Sequence, residues 1–140
     1  MNQEDRQLLL KDLCARLPYG VVVETQLVGM PKAKYPVLKV LQSHMLCDFM
    51  QSIENVIHKP YLRPLSSMTE EEKKKFDDFC VIDEFVFMGD TEIGHKNQAI
   101  IMSDGIDYLN SIHVDYRGLI PKCLAIEVTK ENNPYEKIKL

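Results

Sequence analysis

Apolar positions along this chain recur with two different periods. Between residues 3 and 17 they fall every four residues, at Leu9, Leu13 and Leu17, with Leu10 and Cys14 beside them. That spacing puts one apolar face on a helix. Asn2 stands in front as a cap with Asp5 in the first turn, and Pro18-Tyr19-Gly20 stops it. From Gly20 to Val28 the period changes to two. Val21, Val23, Thr25 and Leu27 alternate with Val22, Glu24, Gln26 and Val28, which predicts a strand. Gly29-Met30-Pro31 breaks it, and a second strand-like run covers Val37 to Gln42. So short a link predicts an antiparallel hairpin, because a parallel crossover needs a dozen residues or more. A third strand is expected over 55–59, where Pro60 disfavours helix at the residue before it.

The clearest local signal is Thr69-Glu70-Glu71-Glu72, a pattern in which the threonine hydroxyl and the glutamate carboxylate can each take the other's backbone N–H. It predicts a capped central helix with Phe76, Phe79 and Cys80 on its buried side. Val81 to Met88 and Gln98 to Met102 are apolar enough for strands. The stretch 81–88 could also be a homodimer edge, and a core strand reads identically. Ile106, Leu109, Ile112 and His113 share helical spacing, and a further helical turn over Leu119–Lys122 completes an expected C-terminal helical pair. Leu124 to Val128 suggests a last strand, and the polar stretch from Thr129 reads as a frayed tail. The sum is an α+β fold: one domain over residues 1–128 with an antiparallel meander of two to four strands, followed by a tail at 129–140.

Composition narrows the function classes. At 140 residues, 45% hydrophobic and 27% charged, the chain is an ordinary globular domain. Net charge of −4, from 17 basic and 21 acidic residues, argues against a nonspecific nucleic-acid binder, which usually carries a basic surplus. No apolar run approaches the roughly 18–20 residues of a membrane span. The acidic, polar opening Met1 to Arg6 is unlike a secretory leader, which predicts a cytoplasmic location. Cys14, Cys47, Cys80 and Cys123 have no metal-ligand spacing and read as reduced core thiols.

Three groupings could carry chemistry. His113-Val114-Asp115, with His95, can be drawn as a hydrolytic metal centre. The same residues read structurally put His113 at a helix end, where the carbonyl dipole favours positive charge, and Asp115 in a turn or cap. Arg117 of Asp115-Tyr116-Arg117-Gly118 could hold a phosphate or carboxylate, or pair with a buried acid beside a glycine the backbone requires. His58-Lys59-Pro60-Tyr61-Leu62-Arg63-Pro64 interleaves basic and aromatic residues as single-stranded nucleic-acid platforms do, or wraps its own domain with Tyr61 and Leu62 buried. No GxSxG, GxGxxG, GxxxxGK[ST] or HExxH motif is present, so the sequence implies no cofactor.

Several longer words, Tyr61-Leu62-Arg63-Pro64-Leu65-Ser66-Ser67-Met68-Thr69-Glu70-Glu71-Glu72, Asp107-Tyr108-Leu109-Asn110 and His113-Val114-Asp115-Tyr116-Arg117-Gly118-Leu119-Ile120, resemble a family of short uncharacterised proteins. Its members occur in gut Bacteroides-type bacteria and their phages and mobile elements. The opening Leu8 to Val21 is similar to that family too, so the resemblance covers about half the chain. It implies a bacterial or phage accessory protein and brings no catalytic residue with it. The resulting expectation is a small non-enzymatic module that binds a protein partner, with Tyr61, Arg63, Tyr116 and Arg117 as contact residues, since aromatics and arginine anchor interfaces.

Overall fold

The computed structural model describes residues 2–27, 37–47, 56–80 and 104–137. Helix α1 spans Gln3–Arg16, and the Asn2 side chain accepts the N–H of Asp5 at 2.7 Å, as the capping residue predicts. Its buried face differs from the expected one. Leu9, Asp12, Leu13 and Arg16 point inward at i, i+3, i+4, i+7, so a carboxylate and a guanidinium share the stripe with two leucines. Cys14 is exposed as a consequence, and so are Cys47 and Cys123, which corrects the reading of these thiols as core residues. After α1 a short 3-10 turn, Leu17–Tyr19, ends at Gly20, whose φ of 68° is the left-handed conformation a helix stop favours.

Strands β1 (Val22–Leu27) and β2 (Val37–Val40) pair antiparallel, Val22 opposite Val40, as the hairpin predicts. Strand β3 (Val56–Pro64) then pairs with β1, antiparallel, and not with β2. The path β2-β1-β3-β4 therefore replaces the expected meander, with β1 inside it. β3 is also longer than expected and carries both Pro60 and Pro64. It changes partners along its length. Its first half, Val56 to Pro60, faces β1; beyond that, Tyr61 and Leu62 pair parallel with β5 (Ile126–Glu127), while Arg63 and Pro64 pair parallel with β4 (Val114–Asp115). Proline lacks an N–H, so Pro60 sits where one ladder ends and another begins. The result is a five-stranded mixed sheet in a mixed α/β fold.

Helix α2 covers Glu70–Cys80 and a third helix, α3, includes residues 104–111. The expected second member of the C-terminal pair is a series of turns: residues 119–123 are not helical. Pro121 cannot donate, and Cys123 adopts φ 59°, which closes the turn. The segment expected to fray is docked, with a short helix α4 at Pro134–Lys137. Two apolar clusters hold the elements together. Leu9 and Leu13 pack with Val21, Val23, Leu62, Leu119 and Leu124, and Met68, Leu109 and Val114 pack beneath Phe76 and Ile112. The strands expected within 81–88 and 98–102 lie outside the described residues.

Candidate functional site

The residues nominated by sequence converge, but inward. Arg16, wholly buried, donates from Nε to Asp12 Oδ2 at 2.8 Å and from Nη2 to the Val114 carbonyl at 2.7 Å. The other oxygen of Asp12 accepts from Arg117 Nη1 at 2.9 Å. Both guanidiniums lie over the Tyr116 ring, at 5.3 Å and 4.7 Å from its centroid, and the Tyr116 hydroxyl donates to Asn110. One buried carboxylate thus holds two arginines that both lie against one aromatic ring, and the group links α1, α3 and the turn after β4. Gly118, at φ 76°, supplies the left-handed residue that lets Arg117 turn back toward Asp12. Of the two readings of Arg117, the pairing with a buried acid is the one realised.

Arg63 is the second hub. Its backbone N–H donates to the His113 carbonyl at 2.8 Å, while its side chain makes two 2.7 Å bonds to Glu72. Glu72 Oε1 also accepts the Thr69 N–H at 2.9 Å, and Thr69 Oγ1 accepts the Glu72 N–H at 3.2 Å. The Arg63 fork, aided by Thr69, holds the Glu72 carboxyl down at about 2. Tyr61 is 7% exposed and its ring lies in the interior. Three of the four expected contact residues, Arg63, Tyr116 and Arg117, are therefore engaged in the fold's own polar network, and Tyr61 is buried.

Asp115 and His113 stand apart from the metal arrangement drawn for them. Both Asp115 oxygens accept backbone N–H groups, from Leu119 and Ile120, each at 2.9 Å. This is the turn-capping role that was its structural alternative. His113 has φ 61°, a left-handed conformation histidine tolerates better than most residues, and its ring stacks on Tyr135 with centroids 4.1 Å apart and planes 6° from parallel. Burial, and then the charges of Arg16 and Arg63, push the imidazole down to about 4, so it is neutral near pH 7. A buried neutral ring is the reverse of the helix-end cation expected of it. His95 lies outside the described residues, and no group of three or more metal-ligating side chains occurs among the described ones. The basic-aromatic strip is strand: His58, Pro60, Tyr61 and Leu62 are buried, and His58 Nδ1 lies 2.9 Å from Thr25 Oγ1 across the β1–β3 ladder.

Tyr135 is the residue that sequence reasoning missed. It lies in a polar run with no periodicity, and its only signal is a lone aromatic preceded by proline. Its hydroxyl accepts the Val22 N–H at 3.2 Å and donates to the Tyr61 carbonyl at 2.7 Å. In the β1–β3 register Val22 and Tyr61 are the next pair beyond Val23 and Pro60, so the hydroxyl supplies a rung where the two strands part. Burial pushes its phenol well above the usual range, which keeps the proton on the donor. Asn132 steadies the approach, accepting from the Thr129 N–H and donating to the Glu127 carbonyl at 3.0 Å.

Among the described residues three large apolar side chains are exposed. Leu65 is 52%, Ile106 41% and Phe79 37% exposed. They lie on the turn entering α2, on α3 and on α2, and the Phe79 ring meets Tyr108 of α3 with centroids 5.6 Å apart. Among the described residues no helix is long and apolar enough to cross a membrane. Comparison with protein-family models, curated proteins and solved structures finds no match to this chain.

Proposed function

We propose that the chain is a small non-enzymatic accessory module that binds a protein partner, working in the cytoplasm of a bacterium and encoded by that cell or by a phage or mobile element it carries. The bacterial and phage setting rests on the resemblance of the Tyr61–Glu72 and His113–Ile120 words. One observation carries the binding reading. Asp12, Arg117, Arg63, Glu72 and Asp115, which chemistry would need, are bonded within the fold, whereas Phe79 and Ile106 offer large apolar surface where α2 and α3 meet and Leu65 adds more on the turn before α2. Exposed apolar side chains of this size gain most from being covered by a partner. The proposed contact surface is that apolar corner, in preference to Tyr61, Arg63, Tyr116 and Arg117.

The test is capture from nuclease-treated lysate of the native host, with wild type and a Phe79→Ser/Ile106→Ser variant as parallel baits. A stoichiometric protein held by wild type and lost from the variant is the expected result. A clean wild-type lane at full bait recovery, or equal capture by both baits, contradicts the reading.

A further inference from the structure

The segment 129–137 meets the sheet through Asn132, which bonds the Glu127 carbonyl of β5, and through Tyr135, beneath which lies a titratable ring. The Tyr135 hydroxyl bridges Val22 of β1 and Tyr61 of β3, and its ring lies flat on His113. Val22 and Tyr61 are 1% and 7% exposed, so removing the hydroxyl leaves a backbone donor and a backbone acceptor without partners in the interior.

His113 meets positive charge from the elements around it. Arg16 reaches it from α1 and Arg63 from β3, and Tyr135 covers it from α4. The carboxylates in reach are already committed. Asp12 lies between Arg16 and Arg117, Glu72 is held by Arg63, and Asp115 on its own segment accepts two backbone N–H groups. Nδ1 of His113 is buried and has no hydrogen-bond partner. A protonated imidazole carries N–H on both nitrogens, so its new charge would face two cations and one of its donors would find no acceptor. A cation over a tyrosine face gains a modest attraction, which is the smaller effect once the ion has lost its water.

We propose that residues 129–137 form a proton-released clasp: protonation of His113 expels Tyr135 from between β1 and β3 and uncovers Val22, Tyr61 and the Arg16 side of the polar network. The clasp is closed near pH 7 and opens as pH falls, because the freed imidazole takes up a proton that the covered one refuses. With an imidazole near 4 when covered, and at most the ordinary 6.5 when freed, the open fraction rises by up to about 70-fold between pH 7.5 and pH 4.5.

The Val22 amide reports the clasp directly, since its N–H donates to the Tyr135 hydroxyl; the Leu41 amide, bonded to the Val21 carbonyl at 2.8 Å in the same sheet, is the control. Amide hydrogen exchange read by NMR on the full chain, corrected for the intrinsic pH dependence, should show Val22 protection falling by tenfold or more, up to about 70-fold, over that range while Leu41 holds. Asparagine also accepts a left-handed backbone and does not titrate, so His113→Asn should abolish the fall. Tyr135→Phe, which keeps the ring and loses the rung, should lower Val22 protection by tenfold or more at every pH. Val22 protection that is flat with pH in wild type, or that falls equally in His113→Asn, overturns the proposal. An independent check is the His113 ring itself: a midpoint near 6.5 with Tyr135 still docked overturns it, and one below 5 supports it.

Discussion

The guanidinium of Arg63 meets the carboxylate of Glu72 in a two-pronged fork, each nitrogen 2.7 Å from its own oxygen. That pair ties β3 to the first turn of α2, and the same carboxylate closes the N-terminus of α2 through Thr69. With side chains 24% and 18% exposed, the fork is screened only in part, and charge-assisted bonds of this geometry remain useful there. Glu72→Gln keeps an acceptor for the Thr69 N–H and loses the charge. It should reduce unfolding free energy by about 1–2 kcal/mol, read from the urea midpoint. An unchanged midpoint would mean that the fork contributes nothing net.

Asp12 holds two arginines from a position with no exposure. Removing it leaves Arg16 buried and uncompensated, which costs about 3–5 kcal/mol where one partner of a buried pair is deleted. Asp12→Ala should therefore be unfolded or nearly so at 37 °C by circular dichroism. Arg117→Ala, removing the partner that is 18% exposed, should cost clearly less. Equal effects from the two would contradict the asymmetry of burial.

Acid should destabilise the fold in two stages with the same sign. His113 is held down at about 4 against an ordinary 6.5, so between those values the unfolded chain binds a proton that the native one does not. Stability is full above pH 6.5 and falls by about 3 kcal/mol as pH drops toward 4. Glu72, held at about 2 against 4.5, contributes above pH 4.5 and loses that contribution as pH falls through 2. Urea midpoints should therefore hold from pH 8 to about 6.5 and decline from there to pH 3. His113→Asn should flatten the upper part of the profile and Glu72→Gln the lower; a wild-type midpoint constant from pH 7 to pH 4 refutes the first stage.

Gly118 isolates a backbone effect. Its φ is 76°, and a Cβ built there meets no heavy atom within 4 Å, so space is no obstacle. Gly118→Ala should lower stability by about 1–2 kcal/mol through conformation alone. Gly118→Asn should cost less, because asparagine enters the left-handed region more readily. Thermal melts of the two variants rank them, and the reverse order would show a contact outweighing the backbone.

The parts of this fold that were legible in sequence are those decided over a few neighbouring residues. Asn2 and the four-residue spacing of Leu9 and Leu13 define α1, and the Gly29-Pro31 break with its short link fixes the β1–β2 hairpin. Which side of β1 receives β3 is decided by packing far along the chain, so the expected meander was wrong in its order. β4 and β5 are two residues each, too short for any period to register. The candidate site misled for a related reason. Arg16 and Asp12 look like the solvated flank of a helix until Arg117, 105 positions beyond Asp12, closes the group. Tyr61, Arg63, Tyr116 and Arg117 have the composition of an interface, and side-chain chemistry alone does not say whether the partner is another protein or the same chain.

In the proposed division of labour the polar network holds the fold and the apolar α2–α3 corner contacts a partner. That division is tested most directly by measuring melting temperature and partner capture together for Arg117→Ala and for Phe79→Ser/Ile106→Ser. Arg117→Ala should melt several degrees lower yet capture the same protein at a temperature where it is folded. The double variant should also be folded at that temperature and capture nothing. The opposite pattern, with capture lost on removing Arg117 at unchanged stability and retained without Phe79 and Ile106, would contradict it.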